Sequence, residues 1–114
     1  MKLSKKNIIH LCMLTGIYLL FVLALTRFKY AYGSELDWGG QHYAIPDYFR
    51  KLFYKTGDFF PSFAPNIGCG ENIYNLSYYG LYSPIILFSY LLPFVKMSTY
   101  IQIVSIIGII ASLW

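Results

Sequence analysis

Nineteen residues, Ile8 to Thr26, pass without a formal charge. About twenty apolar residues at 1.5 Å rise cross a hydrocarbon core of roughly 30 Å, so the run predicts a transmembrane helix over 8–26. A second apolar segment extends from Leu81 to Val95, entered through Ser83-Pro84 and closed by Pro93 and Lys96. It predicts a span over 83–95 that is short, and therefore tilted, thin or partly re-entrant. A third run starts at the helix signal Ser98-Thr99 and is still apolar at Trp114, which predicts a truncated span over 98–114 and an amino-terminal piece of a longer protein. Between the first two lies a different pattern. Ile45, Tyr48, Phe49, Leu52 and Phe53 share one helical face, and Asp47, Arg50, Lys51 and Lys55 share the other, predicting an amphipathic helix from Pro46 to Lys55. Asp47 in its first turn and Lys55 in its last suit the helix dipole, and Gly57 is a natural stop. An aromatic, basic helix of this kind lies in the headgroup plane. Pro61, Pro65, Asn66, Gly68 and Gly70 then mark irregular backbone. The expected fold is an all-α, multi-pass membrane protein whose long external loop, 27–82, carries an interfacial amphipathic helix.

Composition supports lipid as the solvent. The chain is 57% hydrophobic and 12% charged, against about 25% charged in soluble domains. Its net charge of +4 does not point to nucleic acid, because the basic residues sit at helix ends and on one amphipathic stretch and no binding motif accompanies them. Lys2, Lys5 and Lys6 precede the first run as in a signal peptide. However, the run exceeds a signal h-region and exits into Arg27-Phe28-Lys29-Tyr30 without an A-x-A site, so an uncleaved anchor in the cell membrane is expected. With Lys2, Lys5, Lys6 and Lys96 facing the cytoplasm, residues 1–7 are inside and 27–82 outside. Arg27 and Lys29, with Arg50, Lys51 and Lys55, pull the other way. Cys12 and Cys69 fall on different sides of the lipid and are expected not to pair.

The richest polar cluster is Asp37-Trp38-Gly39-Gly40-Gln41-His42-Tyr43. A helical turn would place Asp37 and Gln41 on one face, continued by Ala44 and Tyr48. A carboxylate at the mouth of a first span can take a proton from an acceptor hydroxyl, or hold a divalent cation beside a phosphate. The plainer alternative is a helix cap. His42 and Glu71 match no metal-ligand spacing, so no metal ligand set is assigned. Arg50, Lys51 and Lys55 either grip lipid phosphates or form a solvated face. Asn66-Ile67-Gly68-Cys69-Gly70 is either an anion-cradling backbone or a ligand-free glycine turn. The chain contains no Walker loop, dinucleotide fingerprint, CxxC pair or nucleophile elbow.

In order, the first apolar run, Asp37 with Gln41 and Tyr43, the Tyr48-Phe49-Arg50 helix, Asn66-Ile67-Gly68-Cys69-Gly70, and Tyr78-Tyr79-Gly80-Leu81-Tyr82-Ser83-Pro84 resemble the YfhO family of bacterial multi-pass membrane proteins. The resemblance covers most of this chain and only the amino-terminal part of a typical member. It implies a GT-C-like glycosyltransferase that uses a polyprenyl-phosphate sugar outside the membrane and modifies a teichoic-acid-like acceptor such as lipoteichoic acid. It implies Asp37 as the catalytic acid of the first external loop, with Gln41 and Tyr43 orienting the donor. Trp38 and Tyr43 would then stack on sugar, and Arg50 and Lys51 would lie near lipid phosphates. Pro46 departs from the unbroken helix expected there. The competing class is a non-catalytic membrane protein, such as a lipid-carrier flippase or an assembly partner, in which the loop is packing and binding surface.

Overall fold

The computed structural model describes residues 4–27, 33 and 35–114. The flanking charges Lys2 and Lys29 lie outside them. The chain divides into two compact units, Met1–Gly33 with Gln102–Trp114, and Ser34–Ile101.

The first unit contains α1, Lys5–Thr26. The Ser4 hydroxyl accepts the Asn7 N–H at 3.3 Å at its start. Arg27 ends it in the left-handed region (φ 48°), with its N–H on the Leu23 carbonyl at 2.8 Å. Apolar side chains point outward all round the helix, including Ile9, Ile17, Leu20 and Phe21, and only Val22 is buried. A helix without a polar face suits an apolar solvent. Among the described residues α1 is the one helix long and apolar enough to cross a bilayer, a character that a signal sequence shares. The carboxy-terminal part of α5, Met97–Leu113, completes this unit, and the Trp114 indole N–H donates to the Thr15 hydroxyl at 3.1 Å. At 17 residues α5 falls short of α1 in length.

The second unit is built on α3, Ala44–Thr56. The expected amphipathic helix is present and starts two residues earlier than its pattern indicated. Pro46 therefore falls in the first turn, where its missing N–H breaks no intrahelical bond, and the helix runs on through it to Thr56. Gly57 closes the helix in the left-handed region (φ 75°), its N–H on the Phe53 carbonyl at 2.8 Å. Phe49 packs with Ala64, Ile73, Leu76 and Leu81 into the buried core, flanked by Ile45, Tyr48 and Leu52. β1 (Phe63–Ala64) pairs antiparallel with β2 (Glu71–Asn72). Gly68, Cys69 and Gly70 all take positive φ in the reversal between them. Gly70 takes φ 107°, a conformation strained for any L side chain, and a Cβ there would also displace the exposed Phe63 ring, 2.7 Å away. A 3₁₀ helix, Ile73–Tyr79, leads on to α4, Pro84–Phe88.

Two expectations are corrected here. The span over 83–95 is not formed: α4 has five residues and is continued by a 3₁₀ turn, Ser89–Leu91. Together they rise about 13 Å, less than half of a ~30 Å core. The segment instead folds back on α3, where the Tyr54 hydroxyl donates to the Tyr90 carbonyl and Arg50 Nη1 donates to the Leu92 carbonyl at 3.4 Å. For the same reason Arg50 is not on an outward polar face. It is 5% exposed, covered by the returning chain.

Candidate functional site

Asp37 ends a single helical turn, α2 (Glu35–Asp37), and the chain then widens into a π-helical turn, Trp38–His42, closed by the Tyr43 N–H on the Trp38 carbonyl at 2.9 Å. Gly39 and Gly40 have open space where a Cβ would stand. Two adjacent poor helix formers weaken the tighter α-helical alternative. Isolated π turns within helices are frequent at functional sites. Asp37 has helical dihedrals and makes no capping hydrogen bond to the turn it precedes, so the cap reading does not describe it.

The turn gathers four of the expected residues. Asp37 and Gln41 are exposed, and Trp38 and Tyr43 are half-buried. The Trp38 ring meets Tyr43 edge-on at 5.6 Å and His42 at 6.1 Å. A residue that sequence reasoning left without a role joins them. The Tyr79 hydroxyl donates to Gln41 Oε1 at 2.8 Å, and its ring lies 5.9 Å from that of His42. The Tyr79 phenol is raised above its ordinary value, first by its hydrogen bond with Tyr78, then by desolvation and by the nearby charges of Tyr78 and Asp37.

Arg50 and Lys51 stand elsewhere on the same unit, in a cleft of about 430 Å3 between α3 and the segment from Pro93 to Ser98. Asp47 binds both cations, Oδ1 to Arg50 Nη2 at 3.2 Å and Oδ2 to Lys51 Nζ at 2.6 Å. Lys96 lines the same cleft. It therefore cannot be counted as a charge separated from Arg50 by a bilayer, and the orientation argument loses it. Gly39 and Tyr43 also line the cleft, so the π turn that follows Asp37 forms part of its rim, while Asp37 itself is not among the lining residues. Neither Asp47 nor Lys96 was named as a site residue. The i, i+3 and i+4 spacing of Asp47, Arg50 and Lys51 was a legible signal, whereas nothing local in the sequence points to Lys96.

Among the described residues no three His, Cys, Asp or Glu side chains gather as a metal ion would need, and no step is assigned to a divalent cation. His42 and Glu71 have other neighbours: the His42 ring contacts Trp38 and Tyr79, and Glu71 accepts from the Asn75 amide. Cys12 and Cys69 are free thiols. A second cavity, of about 440 Å3, is lined by Phe53, Phe59, Pro84, Leu87, Phe88, Tyr90 and Leu91. No protein-family model, curated protein or solved structure matches this chain.

Proposed function

We propose that these residues form the amino-terminal part of an integral-membrane glycosyltransferase of the YfhO type, moving a sugar from a polyprenyl-phosphate donor to a cell-envelope acceptor such as lipoteichoic acid. The observation that carries the reading is that the π turn immediately following Asp37 contributes Gly39 to the rim of a cleft lined by Arg50, Lys51 and Lys96. A transferase using a phosphate-linked donor needs this pairing: a carboxylate that meets a water-borne hydroxyl, close to positive charge that receives a leaving phosphate. In this reading α1 stays in the bilayer and the residues around α3 meet water at the outer face. The ordered motifs from Asp37 to Pro84 support it.

The chemistry assigns one role to each group. The Asp37 carboxylate accepts the proton as the acceptor oxygen bonds to the anomeric carbon. The bond from that carbon to the phosphate oxygen breaks, and its electron pair leaves with the phosphate. Cations beside the leaving oxygen stabilise the charge that develops there. Trp38 and Tyr43 offer ring surface to the sugar, and Gln41, held by Tyr79, offers its amide N–H groups as donors.

Asp37→Asn in the membrane-embedded protein tests the proposal. Loss of transfer by at least about 100-fold at normal expression is expected for removal of a general base; unchanged transfer removes the catalytic role. A non-catalytic lipid-carrier protein would keep the cleft and tolerate the Asn.

A further inference from the structure

The segment 83–95 has its polarity reversed. Its exposed residues are Pro84, Ile85, Phe88, Leu91, Pro93 and Phe94, all apolar, while Ser89 is 0% and Tyr90 7% exposed. Ile85, Phe88, Leu91 and Phe94 follow one another at intervals of three, the spacing that keeps side chains on one edge through a 3₁₀ turn, and are 54 to 81% exposed. An exposed apolar cluster of this kind marks contact with a partner rather than with water. The backbone gives a second, independent sign. Four carbonyls of this broken segment take side-chain donors: the Tyr100 hydroxyl on Ile85, the Ser89 hydroxyl on Ile86 at 2.6 Å, the Tyr54 hydroxyl on Tyr90, and Arg50 Nη1 on Leu92 at 3.4 Å. Pro84 and Pro93 bring no N–H that would need a partner. Water would serve such carbonyls unaided. Lipid cannot, and non-helical backbone at membrane depth persists only where the protein meets its polar groups. A second protein chain fits less well, because these six exposed residues fall far short of the roughly 20–30 a side in a stable interface.

We propose that the edge formed by Ile85, Phe88, Leu91 and Phe94 enters one leaflet of a bilayer as a wedge that does not cross it, with the acyl chains of the surrounding lipid as its partner. An element lying in the membrane surface sinks about 5–10 Å into the headgroup–acyl boundary, a depth within reach of the roughly 13 Å that α4 and its 3₁₀ turn rise. Lys96, exposed two residues beyond Phe94, is a cation of the kind that ends an apolar segment at the water boundary. Phe88 and Leu91 also wall the apolar cavity of about 440 Å3, which the same acyl chains fill. The surface that enters lipid is thus not the one the sequence pattern points to. On α3 the apolar residues Ile45, Phe49 and Leu52 pack on Ile73, Leu76 and Leu81 inside the protein, so membrane contact passes to the segment that folds back on α3. The inference stands apart from sugar transfer and uses none of its residues.

The test places the full chain in phosphatidylcholine–phosphatidylglycerol vesicles, with Cys12→Ser and Cys69→Ser removing the free thiols. A nitroxide is attached at Ile85→Cys, Phe88→Cys, Leu91→Cys or Phe94→Cys in turn, and at Lys55→Cys, exposed on α3, as the water reference. Collisions with oxygen, which dissolves in lipid, are compared with those of a neutral nickel chelate, which stays in water. Oxygen should be the stronger relaxant at the four edge positions and the chelate at Lys55, a reversal of the ratio. A stronger chelate effect along the edge would put it in water, and rare collisions with both would put it under protein, a second copy included. Either result overturns the inference. Phe88→Trp supplies a readout without a label: its added emission should be quenched by lipids brominated on their acyl chains. No quenching beyond that of Trp38 and Trp114 overturns the wedge as well. Neither measurement touches Asp37, so the transferase reading fails or holds separately.

Discussion

Two aspartates ten residues apart, each beside the start of a helical turn, have opposite fates. Asp47 has Arg50 and Lys51 three and four positions on. The α-helix brings both onto its carboxylate, at 3.2 and 2.6 Å. At the same offsets from Asp37 the chain has Gly40 and Gln41, and the turn between them is a π turn. Asp37 stays exposed, with the Tyr79 phenol within reach of its charge. A carboxylate whose own helix supplies two cations is engaged in holding the fold. Asp37, set among glycines, an amide and aromatic rings, is the acid to which the proposed transfer assigns the proton. The difference lies in what stands one turn later, and it can be tested on each acid separately.

The largest expected effect is on Asp37. Its replacement by Asn should cost about 100-fold or more in sugar transfer and leave stability within about 0.5 kcal/mol, as for an exposed site away from packing. Asp47→Ala should do the opposite. It leaves Arg50 covered without its carboxylate, and because Asp47 is itself partly exposed, the usual penalty for breaking a buried pair is reduced to about 2 kcal/mol. Denaturant unfolding in detergent measures that loss. Transfer that fails with Asp47→Ala in a protein of normal stability, while Asp37→Asn still works, would exchange the two assignments. A smaller effect belongs to Tyr79→Phe, which removes the hydroxyl that holds Gln41; about fivefold in kcat/KM is expected for one neutral hydrogen bond.

Period alone carried much of this. The uncharged run from Ile8 and the two-faced pattern around Phe49 announced α1 and α3, and Gly57 marked the end of α3 before any coordinate did. The second apolar segment misled because hydropathy does not register geometry. Leu81 to Val95 is apolar enough for lipid, yet Pro84 and Pro93 limit it to a broken helix whose carbonyls at Tyr90 and Leu92 take side-chain donors from α3. Those two hydrogen bonds join residues 36 and 42 positions apart, so no local pattern encodes them. The burial of Arg50 was invisible for the same reason, since a polar position on an amphipathic helix is read as solvated until another segment covers it. Within the candidate site, the Asp37 turn was legible from its composition. The pairing of Gln41 with Tyr79 was not, because it depends on how the 3₁₀ helix returns to α3.

The finest test of the comparison uses two tyrosines as reporters, one in each region. Tyr79, beside Asp37, and Tyr90, against α3, both hold their phenolic protons more tightly than the ordinary 10.0. Tyr90 is pushed up to about 12, first by burial and then by the charge of Tyr82, with Arg50 opposing. The folded state binds the Tyr90 proton more tightly than the unfolded state, so this group's contribution to stability is complete below pH 10. It is lost as the pH rises from 10 to about 12. Alkaline unfolding should therefore steepen over that window, and Tyr90→Phe should remove that component. Asp37 contributes to the raised Tyr79 phenol as the smallest of its causes. In a phenolate absorbance titration, Asp37→Asn should move one tyrosine slightly toward 10, and that movement should vanish in a Tyr79→Phe background. The late, Tyr90-dependent phase should stay where it was. A Tyr79 titration indifferent to Asp37→Asn would place the carboxylate out of electrostatic reach of the phenol that holds Gln41, and the polar grouping on the π turn would no longer be a unit.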